Sequence, residues 1–146
     1  MNLYRQLKDS QQKRISDFLQ INAFFAFSEK QFKEGVKKLG IPEGATGVLV
    51  PLGNTGGFIL KEKAQEYKDI VAKTISETQA ALADPDTGAD FAYQMFYTEL
   101  ANHEYSYTGS TWEILDALGY TLDEVNENPV LKDALAKACR DLLDEE

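Results

Sequence analysis

Asp90–Tyr107 reads DFAYQMFYTELANHEYSY and holds six of the chain's 16 aromatic residues together with its single histidine, His103. Placed on a helix at 100° per residue, Tyr93, Phe96, Tyr97 and Leu100 fall in one wide sector, which Phe91, Ala92 and Met95 extend. Gln94, Thr98 and Asn102 form the only polar strip. A helix apolar over most of its circumference is a buried one. The rest of the chain is therefore expected to pack around this segment.

Outward from it, the flanking sequence punctuates itself clearly. Asp84–Asp90, DPDTGAD, is a loop entering the aromatic helix. Before it, Lys63–Leu82 has a stripe of Tyr67, Ile70, Val71, Thr74, Ile75, Thr78 and Leu82 with charges opposite, the pattern of an amphipathic helix. After it, Trp112–Leu118 predicts a short helix ended by Gly119. Thr121 and Glu124 have capping-box spacing, and Pro129 suits the first turn of a last helix burying Leu131, Ala134, Leu135, Ala138 and Leu142. At the other end, a helix over about 2–20 precedes AFFAF at 23–27, too short for a helix and apolar enough for a buried strand. Ser28 and Gln31 again have capping-box spacing, for a helix that Gly40 and Pro42 end. The runs 46–52 and 57–61 flank GNTGG, whose glycines tolerate the positive φ of a hairpin turn, and Pro51 there belongs on an edge or at a bulge. The expected fold is α+β: one mostly helical domain over 1–146, with a small, mainly antiparallel sheet, a strand near 23–27 plus a hairpin over 46–61, covered by helices.

With 43% hydrophobic and 27% charged residues, the chain has an ordinary globular composition. No apolar run reaches membrane-span length, and MNLYRQLKDS has charge where a signal peptide is apolar, so a cytoplasmic protein with no membrane partner is expected. The lone Cys139 fits a reducing compartment and reads as a small buried hydrophobe. The net charge of −9 is unevenly placed. Residues 1–44 carry eight Lys/Arg against five Asp/Glu, residues 45–112 four against nine, and residues 113–146 three against ten. Phosphate binding needs clustered Lys/Arg, so nucleic acid is not the expected ligand. Glu113, Asp116, Asp123, Glu124 and Glu127 form a candidate acidic surface for a basic groove on another protein, and they serve equally to keep the chain soluble.

Chemistry-bearing residues are few. Glu99 and His103 are four apart and meet on a helix, where a carboxylate holds an imidazole in one tautomer. That arrangement serves general bases and metal ligands, and it serves equally as a structural pair. Glu99, His103, Glu104 and Tyr105 are the candidate functional site. Asp84, Asp86 and Asp90 alternate as at the start of a calcium loop, but Gly88 takes a ligand position and Met95 stands at the twelfth place, so a turn and helix cap account for them better. GNTGG has backbone N–H groups able to cradle an anion but lacks the phosphate-loop spacing. With one histidine and no hydrolase, kinase or zinc pattern, no catalytic residue, metal or cofactor is assigned, and the reading leans away from an enzyme.

Three stretches in order, FFAFSEKQFKEG at 24–35, GGFI at 56–59 and ELANHEY at 99–105, resemble a family of small, uncharacterised acidic proteins of bacteriophages and prophage-bearing Gram-positive bacteria. The resemblance implies a phage or mobile-element setting inside a bacterial host cell and supplies no active site. The function expected is a non-enzymatic accessory protein that binds a host protein, such as a defence or nucleic-acid enzyme. Two alternatives stand beside it: a small-molecule or metal-binding protein, or weak hydrolase, centred on Glu99 and His103, and a homodimeric structural protein.

Overall fold

The computed structural model describes residues 2–103 and 111–144. The helices are α1 (Leu3–Asn22), α2 (Glu29–Lys38), α3 (Ala64–Ala83), α4 (Gly88–Asn102), α5 (Trp112–Leu118), α6 (Leu122–Glu127) and α7 (Pro129–Asp144). The strands are β1 (Ala23–Phe25), β2 (Leu49–Pro51) and β3 (Gly57–Leu60), all antiparallel in the order β1-β3-β2. The expected α+β class, mostly helical with a small antiparallel sheet, is what the chain adopts. It divides into two compact units, Met1–Asp9 with Glu77–Glu146, and Ser10–Ser76.

The first unit is organised by α4. Phe91, Ala92, Met95, Phe96 and Leu100 are buried along it, against Ile114 and Leu115 of α5, Val125 of α6, and Leu131, Ala134, Leu135, Ala138 and Leu142 of α7. Each fully buried large side chain there stabilises the unit by about 1.5–3 kcal/mol. The principal packing partner of α4 is α7. Polar contacts fix their register: the Tyr93 hydroxyl donates to Asp141 Oδ2 at 2.7 Å, and Lys137 Nζ lies 4.5 Å from the Tyr93 ring centre. Along the polar strip of α4, Thr98 is buried, Gln94 half-buried and Asn102 exposed. Local signals end the short helices as expected. Gly119 takes φ 83° after α5, and Thr121 and Glu124 form a complete capping box on α6. Cys139 is half-buried beside this core.

The second unit has a core of its own. Phe24 of β1 and Phe58 of β3 stand opposite each other and pack on Phe32 of α2, with ring centres 5.1–5.6 Å apart. On the other face, Ala23 and Ile59 are buried, while Phe18 of α1 stacks on Tyr67 of α3. The stripe of α3 is only half-buried, and its Ile75 is exposed. Ser28 caps α2 through the Gln31 N–H, but Gln31 Oε1 reaches one residue further back than a capping box, to the Phe27 N–H at 2.7 Å. The first half of the expected strand 46–52 is a 3-10 turn, Thr46–Val48, leaving β2 with three residues. Pro51 lies on an edge strand, as its missing N–H requires.

Gly35 makes the α2–sheet contact possible. A Cβ there would sit 2.1 Å from a ring carbon of Phe24, and that ring is flanked by Phe32 and Phe58. Gly35→Ala is expected to lower stability by roughly 1–3 kcal/mol through overpacking, although helix preference works the other way by about 1 kcal/mol. Thermal denaturation checks it; a melting temperature equal to or above the parent's contradicts this packing.

Candidate functional site

Glu99 sits on the last turn of α4, 9% exposed in an otherwise apolar setting. A carboxylate there needs partners, and α1 provides them. The Tyr4 hydroxyl donates to Glu99 Oε1 at 2.8 Å, and Lys8 Nζ lies 2.5 Å from the same oxygen. Tyr4 and Lys8 are four residues apart, so one face of α1 presents both. Tyr4 also packs edge-on against Phe91, with ring centres 5.6 Å apart. Its backbone N–H, one of the donors that a helix start leaves without an internal partner, donates to Gln94 Oε1 at 3.1 Å. Residues 90–95 positions apart in sequence are thus joined, Tyr4 and Lys8 of α1 to Gln94 and Glu99 of α4.

The electrostatics follow from this geometry. Burial pushes the Glu99 carboxyl up, but the hydrogen bonds from Lys8 and Tyr4, the Lys8 charge and, last, the charge of His103 hold it below its usual range. Burial, with the hydrogen bond and charge of Glu99, pushes the Tyr4 phenol well above its ordinary value. The group is an ionised carboxylate closed by an ammonium and a neutral phenol. Among the described residues, no buried side-chain nitrogen or oxygen lacks a hydrogen-bond partner.

His103 is placed differently from the expected pair. It caps the end of α4, its backbone N–H donating to the Glu99 carbonyl at 3.0 Å. Its imidazole is partly exposed, with Nδ1 3.9 Å from Glu113 Oε2. The hydrogen bonds of the Glu99 side chain run to α1, while the histidine influences Glu99 only through its charge. Glu104 and Tyr105 lie outside the described residues. Nothing in the local sequence marked Tyr4 and Lys8, because what they meet lies more than ninety residues away.

The remaining candidates fall into place locally. Asp84 Oδ1 accepts the N–H groups of Asp86 and Thr87 at 2.8 and 3.1 Å, which holds its carboxyl below the usual range and closes the turn before α4. Among the described residues, Asp84, Asp86 and Asp90 do not converge into a metal-holding group. In GNTGG, the Gly57 N–H donates to Thr55 Oγ1 and the Thr55 N–H to the Leu52 carbonyl, so both serve the hairpin turn. Glu113, Asp116, Asp123, Glu124 and Glu127 are all exposed on α5 and α6, with Glu124 also closing its capping box. Beside them stand two exposed apolar side chains that composition alone did not flag, Trp112 (67% exposed) and Leu122 (57%). No described helix is long and apolar enough to cross a membrane.

Glu99→Gln is expected to cost roughly 1.5–3 kcal/mol at neutral pH, the range for a hydrogen bond to a charged group. The sign of its pH dependence follows from the lowered carboxyl. The ionised form stabilises the fold above the ordinary value of about 4.5, and that contribution fades as pH falls below it. Urea denaturation of both proteins between pH 7 and 3 checks this. The gap should shrink on acidification, and a gap constant with pH would separate Glu99 from the charge interaction.

Comparison with known proteins places the chain without supplying an activity. No curated protein and no solved structure matches it. The model of a family of unknown function, DUF7659, matches residues 3–141, from the start of α1 into α7 and through both units. The chain is a member of the DUF7659 family.

Proposed function

We propose that this protein is a non-enzymatic accessory protein that works by binding another protein, through the acidic surface of α5 and α6. The observation that carries the reading is the single tryptophan, Trp112, 67% exposed at the start of α5 among acidic side chains. Tryptophan is the residue most enriched at the energetic centres of protein interfaces. Leaving it in water on a short surface helix gives up burial that the fold could use. From Thr74 to Leu131 the sequence contains neither lysine nor arginine, so α5 and α6 carry acidic side chains and no basic ones. A partner with a basic groove and an apolar pocket for an indole matches that surface. A bacterial defence or nucleic-acid enzyme has such a groove, and the resemblance to phage-borne proteins makes a host enzyme in the bacterial cytoplasm the partner of choice.

The test is affinity capture from a bacterial host lysate with the parent protein and three variants. These are Trp112→Ala, the pair Asp116→Lys/Glu127→Lys, and reversal of all five acidic positions. A genuine partner is retained by the parent and lost on both charge reversals, and its binding weakens as salt rises. Trp112→Ala is expected to weaken it by tenfold or more, the level of an interface hot spot. Covering Trp112 also blue-shifts its emission, an independent readout since the chain has no other tryptophan. Retention of the partner by the five-fold reversed variant would sink the reading.

A further inference from the structure

The sheet of the second unit has an edge whose polar groups are only partly provided for. In the β1–β3 ladder Ala23, Phe24 and Phe25 face Ile59, Phe58 and Gly57, and the Ala26 N–H donates to the Gly56 carbonyl at 2.9 Å. Antiparallel pairs alternate between bonded and non-bonded positions, so Phe24 and Ala26 bond to β3 while Ala23 and Phe25 turn their N–H and C=O groups outward. Two α2 side chains confirm that direction. Lys38 Nζ donates to the Ala23 carbonyl at 3.5 Å, and Gln31 Oε1 accepts the Phe27 N–H at 2.7 Å. Between these two side-chain contacts lies Phe25, 50% exposed.

This edge opens into a groove of about 790 Å³. One wall is the face of α1 that carries Gln12, Ser16 and Gln20, the other is the face of α2 that carries Gln31, Glu34 and Lys38, and β1 is the floor. We propose that the groove binds an extended peptide segment of another protein, which adds to β1 as a fourth strand. The chemistry of the site selects that ligand. Outward backbone groups of a strand recognise another extended backbone; Lys38 Nζ occupies the position that an added strand's amide N–H would take, and Gln31 Oε1 that of its carbonyl. The walls add charge selectivity. Glu34 and Lys38 are one helical turn apart on the same wall, a rise of about 6 Å. That matches the spacing of alternate residues along a strand, about 6.6–6.8 Å. The favoured segment therefore carries an acidic residue against Lys38 and a basic one against Glu34, two positions apart, with an apolar side chain lying on the exposed Phe25 ring. A second folded copy is the poorer occupant, since α1 and α2 flank the edge on both sides and a copy would bring its own pair against them.

The experiment is selection of a random nonapeptide library on the intact chain. Binding of the enriched, fluorescein-labelled peptide is then measured by anisotropy. Lys38→Glu is expected to weaken it at least fivefold, and a peptide with its acidic residue changed to lysine is expected to regain affinity for that variant. Ser16→Arg, on an exposed helical position where arginine is well tolerated, fills the groove and is expected to abolish binding while leaving the melting temperature unchanged. Hydrogen exchange should show the Phe25 amide fast in the free chain and protected by the peptide. Failure to enrich any peptide, binding indifferent to both variants, or protection that leaves Phe25 untouched overturns the proposal. So does a dimer by sedimentation in which Phe25 is already protected. None of these readouts involves α5 or α6, so this site and the acidic surface stand or fall separately.

Discussion

A buried carboxylate on an apolar helix is the constraint on which the first unit turns. Without partners, Glu99 would cost several kcal/mol inside the α4 contact surface, or would take up a proton. The chain meets it with a phenol and an ammonium from the first two turns of α1. The consequence is topological as much as energetic. A helix start, which local sequence holds weakly, is tied to the most buried helix of the unit by directional bonds that apolar packing could not supply. The Gln94 side chain repeats the device by capping the Tyr4 N–H. Replacing the whole set by well-packed apolar residues could be as stable, so what the set contributes is register: Tyr4 and Lys8 must come to Glu99 and to no other turn of α4.

Elements set by local chemistry were legible in the sequence, and those set by distant contacts were not. Thr121 with Glu124, Gly119, Ser28 and Pro129 each mark a helix end through bonds or φ values within four residues, and each sits where its local role requires. The inward face of α7 follows from its period alone. How far the α4 polar strip is covered was not legible, because burial of Thr98 depends on what packs against it, and the 3.6-residue period carries no such information. The same holds for the candidate site. Glu99 inside the apolar arc was visible on the wheel, but its partners lay at the far end of the chain. His103, the residue most noticeable by rarity, proved to be a helix cap leaning toward Glu113.

The second unit shows how a minimal sheet is protected. Three strands of three or four residues give few ladder bonds, and a bare edge of that kind pairs indiscriminately. Pro51 removes a donor on the β2 edge. On the β1 edge the protection comes from α2, which lies close enough to reach the outward groups only because residue 35 has no side chain. Side-chain guards, unlike a proline, can be displaced. One edge is therefore closed permanently and the other conditionally, an asymmetry that protection against aggregation alone does not require.

The acidic residues of α5 and α6 divide on physical grounds. Glu113, Asp123 and Glu124 occupy first turns, where a helix dipole favours negative charge, and Glu124 also caps. These three are accounted for by the stability of helices of seven and six residues, which need every terminal contribution they can obtain. Asp116 and Glu127 lie toward the opposite ends, where the dipole favours cations, and neither helix has a basic residue in its last turn. Each acts against its helix by a few tenths of a kcal/mol or more. Solubility would be served as well by acids placed where the dipole welcomes them. A positive charge brought by the proposed partner would satisfy the carboxylate and the helix terminus together at those two positions.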